Sequence, residues 1–245
     1  GGGKMTLNKT SGVKMTMTRP APMRPIFSGK YAKSVHAMQP DAPIHAVATP
    51  TEYYANFVDF VRRATPTEKM FFLSAIVKTA EKLGITGGFN IRILTGHSPL
   101  GIQKQQDGVP QFTVDLLAIE SVPNAAPIVY GYNIENQFTN IIQGKTDDEI
   151  ILRNKDAMSF HDKYGRTDVH AQVIPTGHYV NFVHFVKLAT RQQKMEFLNT
   201  VADTAEKLGV SDNFSIKFNI GVGPIGKTTV LHTHCHLQSG ESKVR

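Results

Sequence analysis

The chain of 245 residues contains no tryptophan and one cysteine, Cys235. A lone thiol forms neither an internal disulfide nor a cysteine-rich metal site, which fits a reducing compartment. No uncharged apolar run approaches the roughly 20 residues that span a bilayer, and the N-terminus lacks the apolar stretch of a signal peptide. Membrane insertion and classical secretion are therefore not expected. Acidic residues are missing from residues 1–40, which hold Lys4, Lys9, Lys14, Arg19, Arg24, Lys30 and Lys33. Those seven account for the whole formal charge of +7, so the rest of the chain is balanced. The charge marks a basic leader, residues 1–24, which touches RNA, directs import into a mitochondrion, or solubilises the chain. Nothing beyond it interleaves basic and aromatic side chains as a nucleic-acid platform does. Cytoplasm and mitochondrion both stay open.

What the chain does contain is a repeat. Residues 45–101 align without a gap on residues 170–226, at a constant offset of 125, with 27 of 57 positions identical. A period this long implies two tandem domains, not a solenoid. In each copy the hydrophobic period changes in the same order. His45–Thr49 and His170–Ile174 read as short strands ending at proline. Asn56–Leu83 and Asn181–Leu208 carry apolar residues at helical spacing, with a turn at the Ala-Thr pairs as an alternative to one unbroken helix. Gly84 and Gly209 supply left-handed helix ends. Phe89–Leu94 and Phe214–Ile220 alternate as strands, followed by third strands at Gln111–Ala118 and Thr229–Leu237. Residues 127–164 supply strand-like PIVYGY, the segment IENQFTNIIQG, and strands EIILRN and DAMSFHD. The first copy has only residues 26–44 in that place, which predicts a compressed or rebuilt hairpin. The fold class is α+β, with an antiparallel sheet and one long packed helix in each half.

The copies differ where chemistry would be. The second carries LHTHCHLQSG at 231–240, and in a strand the period of two points His232, His234 and His236 to one side. Three imidazoles on one face are costly core filling, so they mark a site. Either they bind a metal, zinc being the candidate, or one is a nucleophile that the others orient. The preceding turn GVGPIGKTT, with backbone N–H groups, Lys227 and two hydroxyls, favours phosphorus chemistry, although its glycine spacing is not that of a Walker A loop.

LHTHCHLQ resembles the histidine triad (HIT) pattern, with Thr233 and Gln238 as polar departures. FTNIIQGKTDDEIILRNKDAMSFHD at 138–162 and DVHAQVIPTGHYVNF at 168–182 resemble the family's upstream parts. The resemblance implies two tandem HIT-like domains, degenerate over 25–125 and intact over 126–245, paired as an intrachain pseudo-dimer. It also implies a hydrolase or nucleotidyl transferase acting on purine nucleoside phosphoramidates or related nucleoside 5'-monophosphate adducts. In that scheme His234 is the nucleophile, His232 and His170 orient it, and His236 bonds the phosphate or leaving group. Asp162 would accept from the ribose, Asn219 and Lys227 would contact phosphate, and Thr229 would stand near the leaving group. No cofactor is required, and zinc is not favoured. His161 and His178 fall near the expected pocket rim.

In the first copy FTVDLLA at 112–118 is expected to place Phe112, Val114 and Leu116 at the imidazole positions, given a five-residue insertion. Leu94 stands for Asn219 and Ala37 for Asp162, leaving His45 without partners. The degenerate half would then serve as a core or interface, with a homo-oligomer or a protein partner as further uses. The alternative to an enzyme is a noncatalytic nucleotide-binding assembly subunit, for instance in an RNA-associated complex.

Overall fold

The computed structural model describes residues 4–8, 14–18, 24–122 and 132–243. Ten strands form one antiparallel sheet. In chain order they are β1 (Pro25–Ser28), β2 (Ala32–His36), β3 (Ile44–Pro50), β4 (Gly88–Thr95), β5 (Val114–Ala118), β6 (Ile150–Arg153), β7 (Ala157–His161), β8 (Thr167–Pro175), β9 (Phe214–Gly221) and β10 (Cys235–Ser242). Their spatial order is β6-β7-β8-β10-β9-β4-β5-β3-β2-β1. Each half supplies five neighbouring strands, and the halves join where β9 pairs with β4. The joint is self-complementary: Arg92 pairs with Lys217, Asn90 with Asn219 and Leu94 with Ser215. Arg92 and Lys217 occupy the same place in the two copies, so a pseudo-two-fold axis passes between them, as in the isologous interface of a dimer.

Among the described residues five helices complete the fold: α1 (Phe57–Arg63), α2 (Pro66–Leu83), α3 (Gln137–Ile142), α4 (Phe182–Leu188) and α5 (Arg191–Lys207). The long periodic stretches of the repeat thus fold as two helices each. The break lies at the Ala-Thr pairs: Ala64 and Ala189 are extended, and Thr65 and Thr190 open new helices through capping boxes with Glu68 and Gln193. Each cap stabilises its helix by about 1 kcal/mol. Gly84, at φ 66°, ends α2 in the left-handed region.

Successive strand residues point to opposite faces, which divides the sheet into an apolar side and a polar one. On the apolar side Ile91, Leu116, Ile216 and Leu237 lie under the helices in one core that runs through both halves. Phe60 stacks on Phe112 at 4.8 Å, and Phe57 meets Phe214 of the other half edge-on at 6.5 Å. Truncating such a ring to alanine costs roughly 3–5 kcal/mol. On the polar side a single row crosses the sheet through Asp115, Arg92, Lys217, His236 and Gln172.

Three expectations are corrected here. The first-copy hairpin is not rebuilt, since β1 and β2 stand 125 residues before β6 and β7 with turns of the same length. What differs lies upstream: the positions 125 residues before α3 are 12–17, and there the strand Lys14–Thr18 pairs with Lys4–Asn8 instead of forming a helix. The last strand begins at Cys235 rather than Thr229, so only His236 of the three histidines is in a strand. The segment PIVYGY lies outside the described residues except for Tyr132.

The third correction concerns register. Asp115 pairs with Arg92 as His236 pairs with Lys217, so Asp115 is the equivalent of His236. The insertion is therefore four residues, and the triad positions of the first copy are Gln111, Thr113 and Asp115. Phe112, Val114 and Leu116 point into the core, as Thr233, Cys235 and Leu237 do. The alternation that looked like lost imidazoles is the buried face of the strand.

Candidate active site

His170 on β8 and His236 on β10 are linked by a proton whose position the surroundings fix. The backbone N–H of Arg166 lies 3.2 Å from His170 Nδ1, which must accept. The proton of His170 is then on Nε2, and it is donated to His236 Nδ1 at 2.9 Å. His236 in turn carries its proton on Nε2, free to donate elsewhere. Asp162, just beyond β7, holds Oδ2 at 3.4 Å from His170 Nε2 and accepts from Gln172 Nε2 at 2.9 Å.

His232 and His234 lie in the irregular chain before β10. His232 donates from Nε2 to the carbonyl of Pro175 at 2.8 Å, so its Nδ1 accepts the hydroxyl proton of Tyr132. The carbonyl of His232 accepts from His234 Nδ1 at 2.8 Å. A carbonyl only accepts, which puts the proton of His234 on Nδ1 and leaves Nε2 as a lone pair with no hydrogen-bond partner among the described residues. Phe138 of α3 covers both rings, its centroid 4.9 Å from that of His234 and 5.7 Å from that of His232.

Burial is the largest influence on all four rings, and it favours the neutral form. It draws the pKa of His232 down to about 4 and lowers those of His234, His236 and His170. The ammonium of Lys217 adds to the lowering at the last three. Burial, assisted by Arg166, also lowers the pKa of Lys217 itself.

Asn219 shares a narrow slot with His234, Thr228 and Val230. Beside it Gly226 is in ordinary contact, since a Cβ there would lie 3.5 Å from Asn219 Oδ1 and 3.8 Å from both Asn219 Nδ2 and Lys217 Nζ. A backbone turn, an amide and an ammonium thus meet at one corner, an arrangement suited to an anion. Lys227 and Thr229 are not part of it. Both are exposed, and their side chains make no hydrogen bond among the described residues. Thr228 is the bonded hydroxyl instead, donating to the Asn219 carbonyl at 2.7 Å.

On the other flank Phe138, Ile141 and Phe160 wall a cavity of about 210 Å³ that ends at Asp162 and Gln172. His161 stands near Glu149, 3.9 Å away, and exposed His178 stacks on Tyr132 at 4.5 Å. The structure thus brings His170, His232, His234, His236, Asp162 and Asn219 together and adds Tyr132, Phe138, Gln172 and Lys217, which sequence reading missed. Lys217 had a signal, because it shares the strand parity of Asn219. Tyr132 had none, since its hydroxyl arrives from 100 residues away.

A zinc ion on His232, His234 and His236 does not fit, because both nitrogens of His232 are engaged. Among the described residues the group whose ligand atoms do converge, within 4.8 Å, is Asp162, His170 and His236, and its two imidazoles are already hydrogen-bonded to each other.

In the first half His45 keeps partners, contrary to expectation. Its Nδ1 accepts from the Asp41 N–H at 3.0 Å, as His170 does from Arg166. Its Nε2 donates to Asp115 at 2.8 Å, and Arg92 bonds Asp115 at 3.0 Å and Asp41 at 2.7 Å. Burial alone would raise the pKa of Asp115, but the His45 bond and the Arg92 charge outweigh it and hold the carboxyl below its ordinary value. The relay has become a closed ionic network.

Among the described residues no helix is long and apolar enough to cross a membrane. The HIT domain description matches residues 143–243. An uncharacterised HIT-like protein of Helicobacter pylori is 31% identical over 106 residues, which are 43% of this chain and 97% of that protein. One from Rickettsia prowazekii is 29% identical over 113 residues, 46% of this chain and 93% of its own. Over both halves together, the fold is shared with a GalT-like protein from Arabidopsis thaliana at TM-score 0.56 and 12% identity, covering 88% of this chain and 76% of that one. A uridylyltransferase mutant gives TM-score 0.55 at 12% identity, covering 89% and 80%. The intact relay of imidazoles and the full-length match to small HIT-like proteins place the chain in the HIT family.

Proposed function

We propose that the protein hydrolyses or transfers the nucleoside 5'-monophosphate group of purine nucleoside phosphoramidates or related adducts, through a nucleotidyl-histidine. The observation that carries this reading is the Nε2 lone pair of a neutral, buried His234, unpartnered among the described residues and fixed by the bond from Nδ1 to the His232 carbonyl. A neutral imidazole with its other nitrogen so held is a competent nucleophile toward phosphorus.

His234 Nε2 attacks the α-phosphorus, a P–N bond to the ring forms, and the bond to the leaving amine breaks. His236 Nε2–H lies within the same relay to protonate the leaving amine, and the water that attacks in the second step returns that proton to His236 Nε2, while His170 and Asp162 hold the ring in place. Water then attacks the phosphorus, and the nucleoside monophosphate leaves with His234 restored. Splitting one displacement into two suits a site whose donors are already in place. Lys217, Asn219 and the N–H groups of the loop would hold the nonbridging oxygens. The 210 Å³ cavity would take the nucleoside, the base between Phe138, Ile141 and Phe160 and the ribose at Asp162 and Gln172. No step uses a metal ion.

The test is brief mixing with an adenosine phosphoramidate followed by intact-protein mass spectrometry. An added AMP mass, or released AMP, in the wild type and not in His234→Ala supports the reading. AMP binding without adduct or product overturns it in favour of a pocket kept for assembly.

A further inference from the structure

The degenerate half places one side chain inside the phosphate corner of the other half. Asn90, on β4, is fully buried. The backbone N–H of Ile225 lies 2.8 Å from Asn90 Oδ1, and an N–H must meet an oxygen, so this bond sets the orientation of the Asn90 amide. Its Nδ2 then faces Asn219 Oδ1 at 2.7 Å and the Gly226 carbonyl at 3.3 Å. Asn219 is thereby held with its oxygen toward Asn90 and its two N–H donors left for the slot it shares with His234.

The loop is built to admit this. A Cβ on Gly223 would lie 2.4 Å from Asn90 Oδ1, and one on Gly221, at φ 60°, would lie 2.1 Å from the Gly87 carbonyl of the first half. Neither glycine has room for another residue, so the loop is moulded on the β4 strand.

We infer that Asn90 is a positioning residue for phosphate recognition: from the degenerate half, it sets the amide of Asn219 as a donor to the phosphoryl group and shapes loop 221–226. The working site is incomplete without the inactive copy. This rests on the phosphorus chemistry proposed above. The equivalent of Asn90 in the second copy is Ser215, and the equivalent of Asn219 in the first is Leu94, so the device exists on one side of the axis only.

The decisive variant is Asn90→Asp. It keeps the acceptor for Ile225 N–H but sets an oxygen against Asn219 Oδ1, which turns the Asn219 amide over and presents oxygen to the phosphate. The expected result is a fall in kcat on adenosine phosphoramidate of about 100-fold and a weakening of AMP binding of about tenfold, with the thermal midpoint monitored as a folding control. Asn90→Ala should lower kcat about tenfold. Combined with Asn219→Ala it should cost no more than Asn219→Ala alone, because the two act as one unit. Additive losses, or an Asn90→Asp protein that binds AMP and turns over as the wild type does, would overturn the inference. A wild type that binds AMP without turnover refutes the catalytic reading and leaves AMP affinity as the measure of Asn90. A wild type that does not bind AMP at all overturns both.

Discussion

Arg92 and Lys217 stand side by side across the centre of the sheet, registered as partners and equivalent in the duplication, yet only one of the two cations is neutralised. Arg92 is held by Asp41 and Asp115. Lys217 has no carboxylate within ion-pair distance among the described residues, and it is registered beside His236.

Replacing Lys217 by methionine removes a charge from the anion corner while keeping the alkyl stem. The expected loss in kcat/KM is roughly 10- to 100-fold, the scale of one electrostatic donor. Because the ammonium lowers the pKa values of His170, His234 and His236, its removal should also move the acid limb of the pH profile to higher pH. Steady-state kinetics from pH 4 to 8 would show both effects.

Asp115 is expected to matter for stability, not for chemistry. Asp115→Ala leaves the buried Arg92 guanidinium with one carboxylate and His45 Nε2 with none. Breaking a buried ion network at one member typically costs about 3–5 kcal/mol. Denaturant unfolding should record a loss of that order, with turnover per folded molecule little changed.

Much of this was legible in the sequence where period and type agree. The duplication, the two antiparallel halves, the glycine helix ends and the grouping of His232, His234 and His236 follow from residue type and spacing, whereas His170 and Asp162 come from the resemblance to the histidine triad family. The first-copy register is ambiguous in the sequence for a physical reason: in FTVDLLA the apolar alternation belongs to the core face, and a one-residue slip moves every side chain to the other side. Cross-half contacts were not legible at all. Asn90 and Asn219 are 129 residues apart and meet only because β4 and β9 pair about the axis. Lys227 and Thr229 looked suitable by type, but the turn exposes both and leaves Thr228 as the bonded hydroxyl, while the cation beside the imidazoles is Lys217 of β9.

His234→Ala should abolish covalent nucleotidylation and lower turnover at least 1000-fold, on the order of 4 kcal/mol of transition-state stabilisation. Tyr132→Phe should be milder, about tenfold, since it deletes the hydroxyl's bonds to His232, Asn136 and Thr139 but leaves His234 and the ring's contact with His178 in place. Single-turnover kinetics would separate the two.

Acid should weaken the fold before it protonates the folded site. The pKa of His232 is about 4 in the folded protein against an ordinary 6.5, so between those values the unfolded chain binds more protons. Stability is therefore complete above pH 6.5 and falls as pH drops toward 4, by on the order of 3 kcal/mol from this residue alone. His234, His236 and His170 shift in the same direction and add to the slope. Thermal melts at closely spaced pH values would trace it, and His232→Asn should flatten it.

The pseudo-two-fold axis has a consequence for what one molecule can do. In a pair of identical chains any substitution on the axis is made twice, and lysine would face lysine. Here the two sides answer to separate codons. One became a sink for counter-ions and a mould for its neighbour's loop, while the other kept a bare cation. The expected consequence is a valence of one: the two halves should together saturate at a single nucleotide per chain along a simple hyperbola, since among the described residues only the second half gathers the four imidazoles.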